Sequence, residues 1–311
     1  MPAGSGPLRF AGALLAAALA LPAQAAAQAF TPPQGVGAVT LAWQYIDNTG
    51  HRLSDGYFRP AGQSATTSLA LDVEYAVTDR LSAAVGVPYV FARYEGALPP
   101  PSGLPVDACK CWHSSFADFS AGARYRFGGE TWAVTPIARL GQPSHGYPYQ
   151  GEAVVGKQLS ELQLGVLAGV RLVELLPKAT VQAGYTYAFV EKALDDVSVN
   201  RSSGFVDFGY AATRKLYVRV AWLGQYTHGG LRAGSLTGDP FPFPGELNTP
   251  ARFAERDRLL KVRYMQLVGG LSWNAGPIDI FASYAKYVWG RDAHNGQAFG
   301  LGVSFYFGLP E

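Results

Sequence analysis

The feature that most restricts this chain is a period of two. In "SLALDVEYAV" (68–77), Leu69, Leu71, Val73, Tyr75 and Val77 share one face and Asp72 and Glu74 the other. In "FADFSAGARYRF" (116–127), Phe119, Ala121, Ala123, Tyr125 and Phe127 oppose Asp118, Ser120, Gly122, Arg124 and Arg126. Successive side chains of a strand point to opposite sides of a sheet, so each segment predicts a strand with one oily and one charged face. The alternation returns in "ELQLGVLAGVRL" (161–172), "ATVQAGYTYAF" (179–189), "LYVRVAWLGQY" (216–226) and "AFGLGVSFYF" (298–307). After the N-terminal stretch no run of about 18 apolar residues occurs, which excludes a helical membrane span from that part.

Alternation alone does not say which face is wet, and a soluble β-sandwich competes with a membrane barrel. Composition favours the barrel: 17 Tyr, 17 Phe, 6 Trp and 37 Gly accompany only 15% charged residues, and the aromatic residues gather toward strand ends as interfacial girdles do. Twelve strands are predicted, at 36–47, 64–77, 80–92, 115–127, 131–141, 158–172, 178–190, 202–213, 216–228, 258–274, 277–289 and 297–307. Short connections ("TD", "GGE", "ELLPK", "RK", "AG") alternate with long ones such as 94–114 and 229–257. The expectation is an all-β fold: a transmembrane antiparallel β-barrel of twelve strands with short periplasmic turns and long extracellular loops.

The first 30 residues carry one cation, Arg9, then an apolar run from Phe10 to Leu21, then small residues ending at Ala25, Ala27 or Ala29. This is the plan of a secretory signal peptide; the run is shorter than the ~20 residues of a membrane anchor. The organisation expected is a signal peptide over 1–27 and one barrel domain over 28–311 in a Gram-negative outer membrane. Too few residues precede the first strand for a plug domain. Lys and Arg total 25 against 23 Asp and Glu, a balance that argues against nucleic acid as a partner.

Parity places Asp72, Glu74, Asp118, Glu161, Asp207 and Asp279 inward with Arg124, Arg126, Arg139, Arg171, Arg219, Lys261 and Arg263. Mixed signs predict cross-strand ion pairs that crowd a narrow lumen, whether as structural filling or as a selective path. A bulge is expected near Met265, where the faces fall out of phase, and Lys286 lies on the apolar face. Pro88, inward beside Gly86, cannot donate a ladder bond, so a bulge or a broken ladder is expected at 87–89, either a simple kink or a lateral or luminal opening for solute. The loop 229–257 interleaves three prolines with Phe241 and Phe243 and is either an external cover or an inward constriction.

All five histidines fall in or beside predicted loops. "CKCWH" offers Cys109, Cys111 and His113 at alternate positions; a disulfide between the cysteines competes with a soft-metal site that lacks a fourth ligand, and no metal or other cofactor is expected. Ser202 and His228 lie on the outward faces of adjacent strands, in a register that allows them to meet, with Asp195 and Asp196 nearby. A rim hydrolase acting on lipid is the alternative to a non-enzymatic barrel. A structural barrel with partner-binding loops is a third reading.

With twelve strands, "GVPYVFARYE" and the closing "GLGVSFYFG" in place, the chain resembles the outer-membrane proteins of the phenol meta-pathway family. The resemblance implies passive uptake of small apolar or aromatic solutes and no agreed binding residues. The last strand also looks like a barrel-assembly signal, which implies the barrel-assembly machinery as a partner beside outer-membrane lipid. It departs from that signal in ending "GLPE" rather than on an aromatic residue.

Overall fold

The computed structural model describes residues 28–96, 106–107, 109–194, 197–234 and 246–309; for Ala61 it describes the backbone alone. Residues 1–27, Asp195, Asp196, Phe241 and Phe243 lie outside that set.

The strands are β1 (Gly37–Arg52), β2 (Phe58–Ala76), β3 (Leu81–Glu95), β4 (His113–Phe116), β5 (Asp118–Tyr125), β6 (Phe127–Gly128), β7 (Trp132–Pro143), β8 (Glu161–Arg171), β9 (Ala179–Val190), β10 (Arg201–Ala211), β11 (Leu216–Thr227), β12 (Arg263–Asn274), β13 (Ile278–Arg291) and β14 (Ala293–Phe307). β4, β5 and β6 are pieces of one stave, so the strands make a closed antiparallel barrel of 12 staves. Closure runs through β1, which pairs with β14 on one side and β2 on the other. A closed sheet leaves no edge, which is what allows strands to stand in lipid, where an unpaired backbone group costs several kcal/mol. Alternate outward residues form the apolar band, including Leu41, Leu71, Val85, Leu164, Val220, Leu271 and Leu301, all exposed. Tyr75, Phe127, Trp132 and Trp273 ring one end, and Phe116, Phe189, Tyr226 and Trp289 the other.

The ends differ. At one the chain turns within 77–80, 129–131, 172–178, 212–215 and 275–277; the other carries the spans 96–112, 144–160, 191–200 and 228–262. Three sequence boundaries are corrected. β12 starts at Arg263 rather than residue 258, because 250–259 form two short helices, α1 (Pro250–Ala254) and α2 (Arg256–Leu259). Thr249 caps α1 by accepting the Arg252 N–H, and Pro250 follows it at the first turn. β1 and β2 reach to Arg52 and Phe58, past the expected loop. Only Asp292 separates β13 from β14, although "GRDAHNG" reads as a loop; there β13 pairs with β12 while β14 pairs with β1. His51 and His294 consequently sit inside strands, while His113 opens β4 beside the long span before it.

Two irregularities answer local questions of the sequence. Met265 faces Trp289 and Gln266 faces Tyr287, so the bulge near Met265 places its extra residue, Val288, on β13. At Pro88, β3 runs against β2 without a shift from Gln63↔Glu95 to Ala76↔Ser82. On the other side Gly86 faces Ser120 while Tyr89 faces Phe116, which puts one extra residue on the neighbouring stave between β4 and β5. The Pro88 carbonyl accepts the Ala117 N–H (3.1 Å) at that point. The missing proline N–H therefore points at a bulge, where the ladder demands no donor. β3 itself stays bonded to both neighbours, so the opening envisaged at Pro88 is not present.

Candidate functional site

The interior carries paired charges and polar groups on most staves and one apolar register row. On β2, β3, β5 and β7, Arg124 donates through Nε and Nη2 to Glu74 (2.9 and 2.6 Å) and through Nε to the Ser82 hydroxyl (3.0 Å). Arg139 donates to Ser120 (2.6 Å). A Cβ on Gly86 would stand 2.6 Å from an Asp72 carboxylate oxygen and 2.8 Å from the Ser120 hydroxyl, so glycine there is the space in which this polar group meets. Further round, Glu161 pairs with Arg201 and Asp207 with Arg219. Asp118 accepts the Tyr147 hydroxyl, and Asp279 accepts from Asn274 (2.8 Å) and Tyr306 (3.1 Å). Asp207 and Arg219 stand on neighbouring staves, whereas Glu74–Arg124 and Glu161–Arg201 each reach across one intervening stave, so the pairs satisfy one another over the lumen wall and not only between adjacent strands. Arg201 was missed only because its strand was started one residue late; its parity is that of Asp207.

The apolar residues follow one register row. Ile46 faces Ala298, Ala298 faces Ala285, Ala285 faces Val268 and Val268 faces Ala221, all inward on β1, β14, β13, β12 and β11. Leu223 on β11 and Phe205 on β10 face each other beside it. Phe205 also packs against a second cluster, of Ala29, Ala133 and Leu167, and so joins the belt to it. Neighbouring strands show these residues as alternating with polar ones, but only the register lines them up around the barrel.

The two ends are occupied. At the short-turn end, residues 28–31 enter the lumen ahead of β1. The Ala29 N–H donates to Gln182 (2.9 Å), Thr135 donates to the Ala29 carbonyl, Arg124 donates to the Gln28 carbonyl, and Thr31 donates to the Asp79 carbonyl (2.9 Å). Phe30 lies under the Arg171 guanidinium, 4.6 Å from ring centroid to Cζ. Ala29 is 1% exposed, packed against Ala133 and Leu167. Residues 28–31 thus occupy this end of the lumen, a role that the expectation drawn from segment length overlooked.

At the long-loop end the loop 144–160 folds into the mouth: Tyr147, Ala153 and Val155 pack on the inward Val90, Ala92 and Tyr94 of β3. α2 closes over it. Arg256 donates to Glu152 through Nε (3.1 Å) and Nη2 (2.6 Å) and lies 3.9 Å from Asp107. Tyr149 and Gln150 donate to Glu255 (3.1 and 2.9 Å). Burial holds the Asp257 and Asp107 carboxyls above their ordinary range, and burial beside Arg201 pushes the Lys157 amine down to about 8. These loop charges are poorly hydrated and hold the cover through one another.

Several sequence-predicted residues lie elsewhere. Arg126 donates to the Gly129 and Asp79 carbonyls (3.2 and 3.1 Å), binding turns at the rim rather than lining the path. Lys261 belongs to the link before β12, its N–H on the Leu231 carbonyl (2.8 Å). Arg263 points outward, because β12 keeps register with β11 and faces the outward Tyr226. The bulge that was expected to carry it inward lies on β13. Cys109 and Cys111 form a disulfide, with the Cys109 sulfur 3.8 Å from His113 Nε2. Ser202 faces Tyr226 rather than His228, yet its hydroxyl reaches His228 Nε2 diagonally at 2.7 Å and also meets the Tyr185 hydroxyl at 2.7 Å. No carboxylate hydrogen-bonds His228 Nδ1 among the described residues.

The fold is that of outer-membrane β-barrels. An outer membrane channel from Pseudomonas putida F1 superposes with a TM-score of 0.67 over 90% of this chain and 98% of that one, at 11% identity. The NanC porin superposes with a TM-score of 0.50 over 86% and 98%, also at 11% identity. No protein-family model and no curated protein matches the sequence.

Proposed function

We propose that the protein is an outer-membrane channel for passive uptake of small hydrophobic or aromatic solutes. The observation that carries this reading is the apolar register row of Ile46, Ala298, Ala285, Val268 and Ala221, continued by Leu223 and Phe205. A path for ions or sugars gains nothing from such a belt, whereas an apolar solute is transferred onto it with about 25 cal/mol for each Å² of its surface removed from water. The paired charges of the lumen leave no field of one sign to select ions. The channel names of the two superposed structures agree with the reading at the level of fold. In liposomes the protein is expected to speed entry of simple phenols and leave sugars unaffected. Ala285→Arg places a cation in the belt, where an unpaired charge is strongly disfavoured, and is expected to cut phenol flux about tenfold or more. Equal phenol rates with and without protein would falsify the channel.

The 2.7 Å contact between Ser202 and His228 supports a second reading, hydrolysis of lipid esters at the outer wall. A serine activated by histidine needs that hydrogen bond and, in the full triad, a third group to orient the imidazole. Under the channel reading the expected result is no turnover of phospholipid or p-nitrophenyl esters by purified protein. Turnover abolished in Ser202→Ala would establish the enzyme instead.

A further inference from the structure

We propose that the outer wall of β12 and β13 at the long-loop end binds a phosphate of lipid A, the anchor of lipopolysaccharide. Arg263 and Arg291 stand directly opposite each other on the outward face. Like charges in that position repel and destabilise a sheet unless an anion lies between them. Neither guanidinium has a carboxylate oxygen within 4.0 Å among the described residues, the buried Asp292 feeling the Arg263 charge only from farther off, and the Arg263 Nε is enclosed without any hydrogen-bond acceptor. Each is instead laid on an outward aromatic ring, Arg263 at 4.8 Å from the Tyr226 centroid and Arg291 at 5.9 Å from that of Trp289. Stacking on a ring leaves the in-plane N–H groups of guanidinium free, and two such forks match the oxygens of a phosphate.

The wall below these arginines is shaped for a chain. Gly204 and Gly224 face each other across β10 and β11 on the outward side. A Cβ on either would meet nothing closer than 3.4 and 3.7 Å, so the pair leaves a shallow hollow beside the exposed Trp222 and Tyr226. Long loops of bacterial barrels face outward, which sets this site in the outer leaflet. The lipid of that leaflet combines phosphomonoesters with several acyl chains, matching two cationic forks above an apolar hollow. The inference stands independently of what the lumen carries.

The test uses the full mature protein folded in detergent, titrated with bisphosphorylated lipid A, its dephosphorylated form or phosphatidylglycerol, bound lipid being counted by native mass spectrometry. The wild type is expected to prefer bisphosphorylated lipid A about tenfold or more over the other two, since each anion contact is a charge-assisted hydrogen bond. The double variant Arg263→Gln, Arg291→Gln is expected to lose that preference while keeping its heat-modifiable gel mobility. Should the pair of changes prevent folding, Arg291→Gln alone, on the exposed rim, is expected to lose about threefold by the same reasoning. Lipid A bound no better than phosphatidylglycerol by the wild type, or bound equally by wild type and folded variant, overturns the site.

Discussion

Deletion of residues 28–31 is expected to raise single-channel conductance in planar bilayers severalfold while the barrel still folds. Those four residues hold the short-turn end of the lumen through bonds to Gln182, Thr135, Arg124 and Asp79, with Phe30 set against Arg171. Each neutral hydrogen bond contributes about 1 kcal/mol net, so their loss weakens a barrel of 12 closed staves without dismantling it. What changes most is the path: Ala29 and Phe30 leave the space between Leu167, Ala133 and Arg171. The experiment also separates the two ends. Conductance that stays at the wild-type level after deletion places the controlling barrier in the loop cover of Arg256 and Glu152, and removes the luminal segment from the account of gating.

The second large effect is on stability. Arg124→Ala is expected to destabilise the barrel by about 3–5 kcal/mol in urea unfolding from detergent, the range for breaking a buried ion pair from one side. The Arg124 and Glu74 side chains are 8% and 17% exposed, and the pair is held by two N–H groups of one guanidinium. Removing the arginine strands the Glu74 carboxylate and frees the Ser82 hydroxyl and the Gln28 carbonyl together. Glu74→Gln combined with Arg124→Ala is expected to recover part of the loss, because the stranded charge rather than the missing bond dominates it. Arg124→Lys recovers less than its charge suggests, since an ammonium cannot reproduce the planar fork. A loss below about 1 kcal/mol for Arg124→Ala, the value of an exposed pair, would show that water reaches this part of the lumen freely.

The wall was legible because its physics is local. A residue's face follows from parity, and lipid on one side with water or paired charge on the other makes that parity visible in Leu69, Leu71 and Asp72 as plainly as in Asp207 and Phe208. Where parity misled, it did so at a strand start set too early, as for Lys261, or at a bulge placed on the wrong strand, as for Arg263. Arg263 was put inside because a shift near Met265 was correctly expected but assigned to the wrong strand of the pair. A bulge leaves its mark on two chains at once, and one sequence segment cannot say which carries the extra residue. Pro88 shows the converse. Its missing donor marked a true irregularity, and the neighbouring stave absorbed it at Ala117.

Ser202 and His228 were paired by parity across adjacent strands, and the structure joins them diagonally, one pair of residues from the register imagined. Loop contacts had no such rule. The meeting of Asp107, Glu152 and Arg256, from three separate loops, follows from shapes that only close once the barrel brings their ends together.

By itself the sequence determined a transmembrane barrel, the number of staves, the face of most side chains and the mixed charge of the interior, because each is written in a period of two that lipid enforces on every strand. Tertiary structure decided which faces line up. The row from Ile46 to Ala221 exists only through the register of five strands, and the seat of Ala29 against Gln182, 153 residues away, exists only because the sheet curls into a cylinder narrow enough for a single strand of chain to fill. Closure is a global condition, and the contacts it creates carry no local signature.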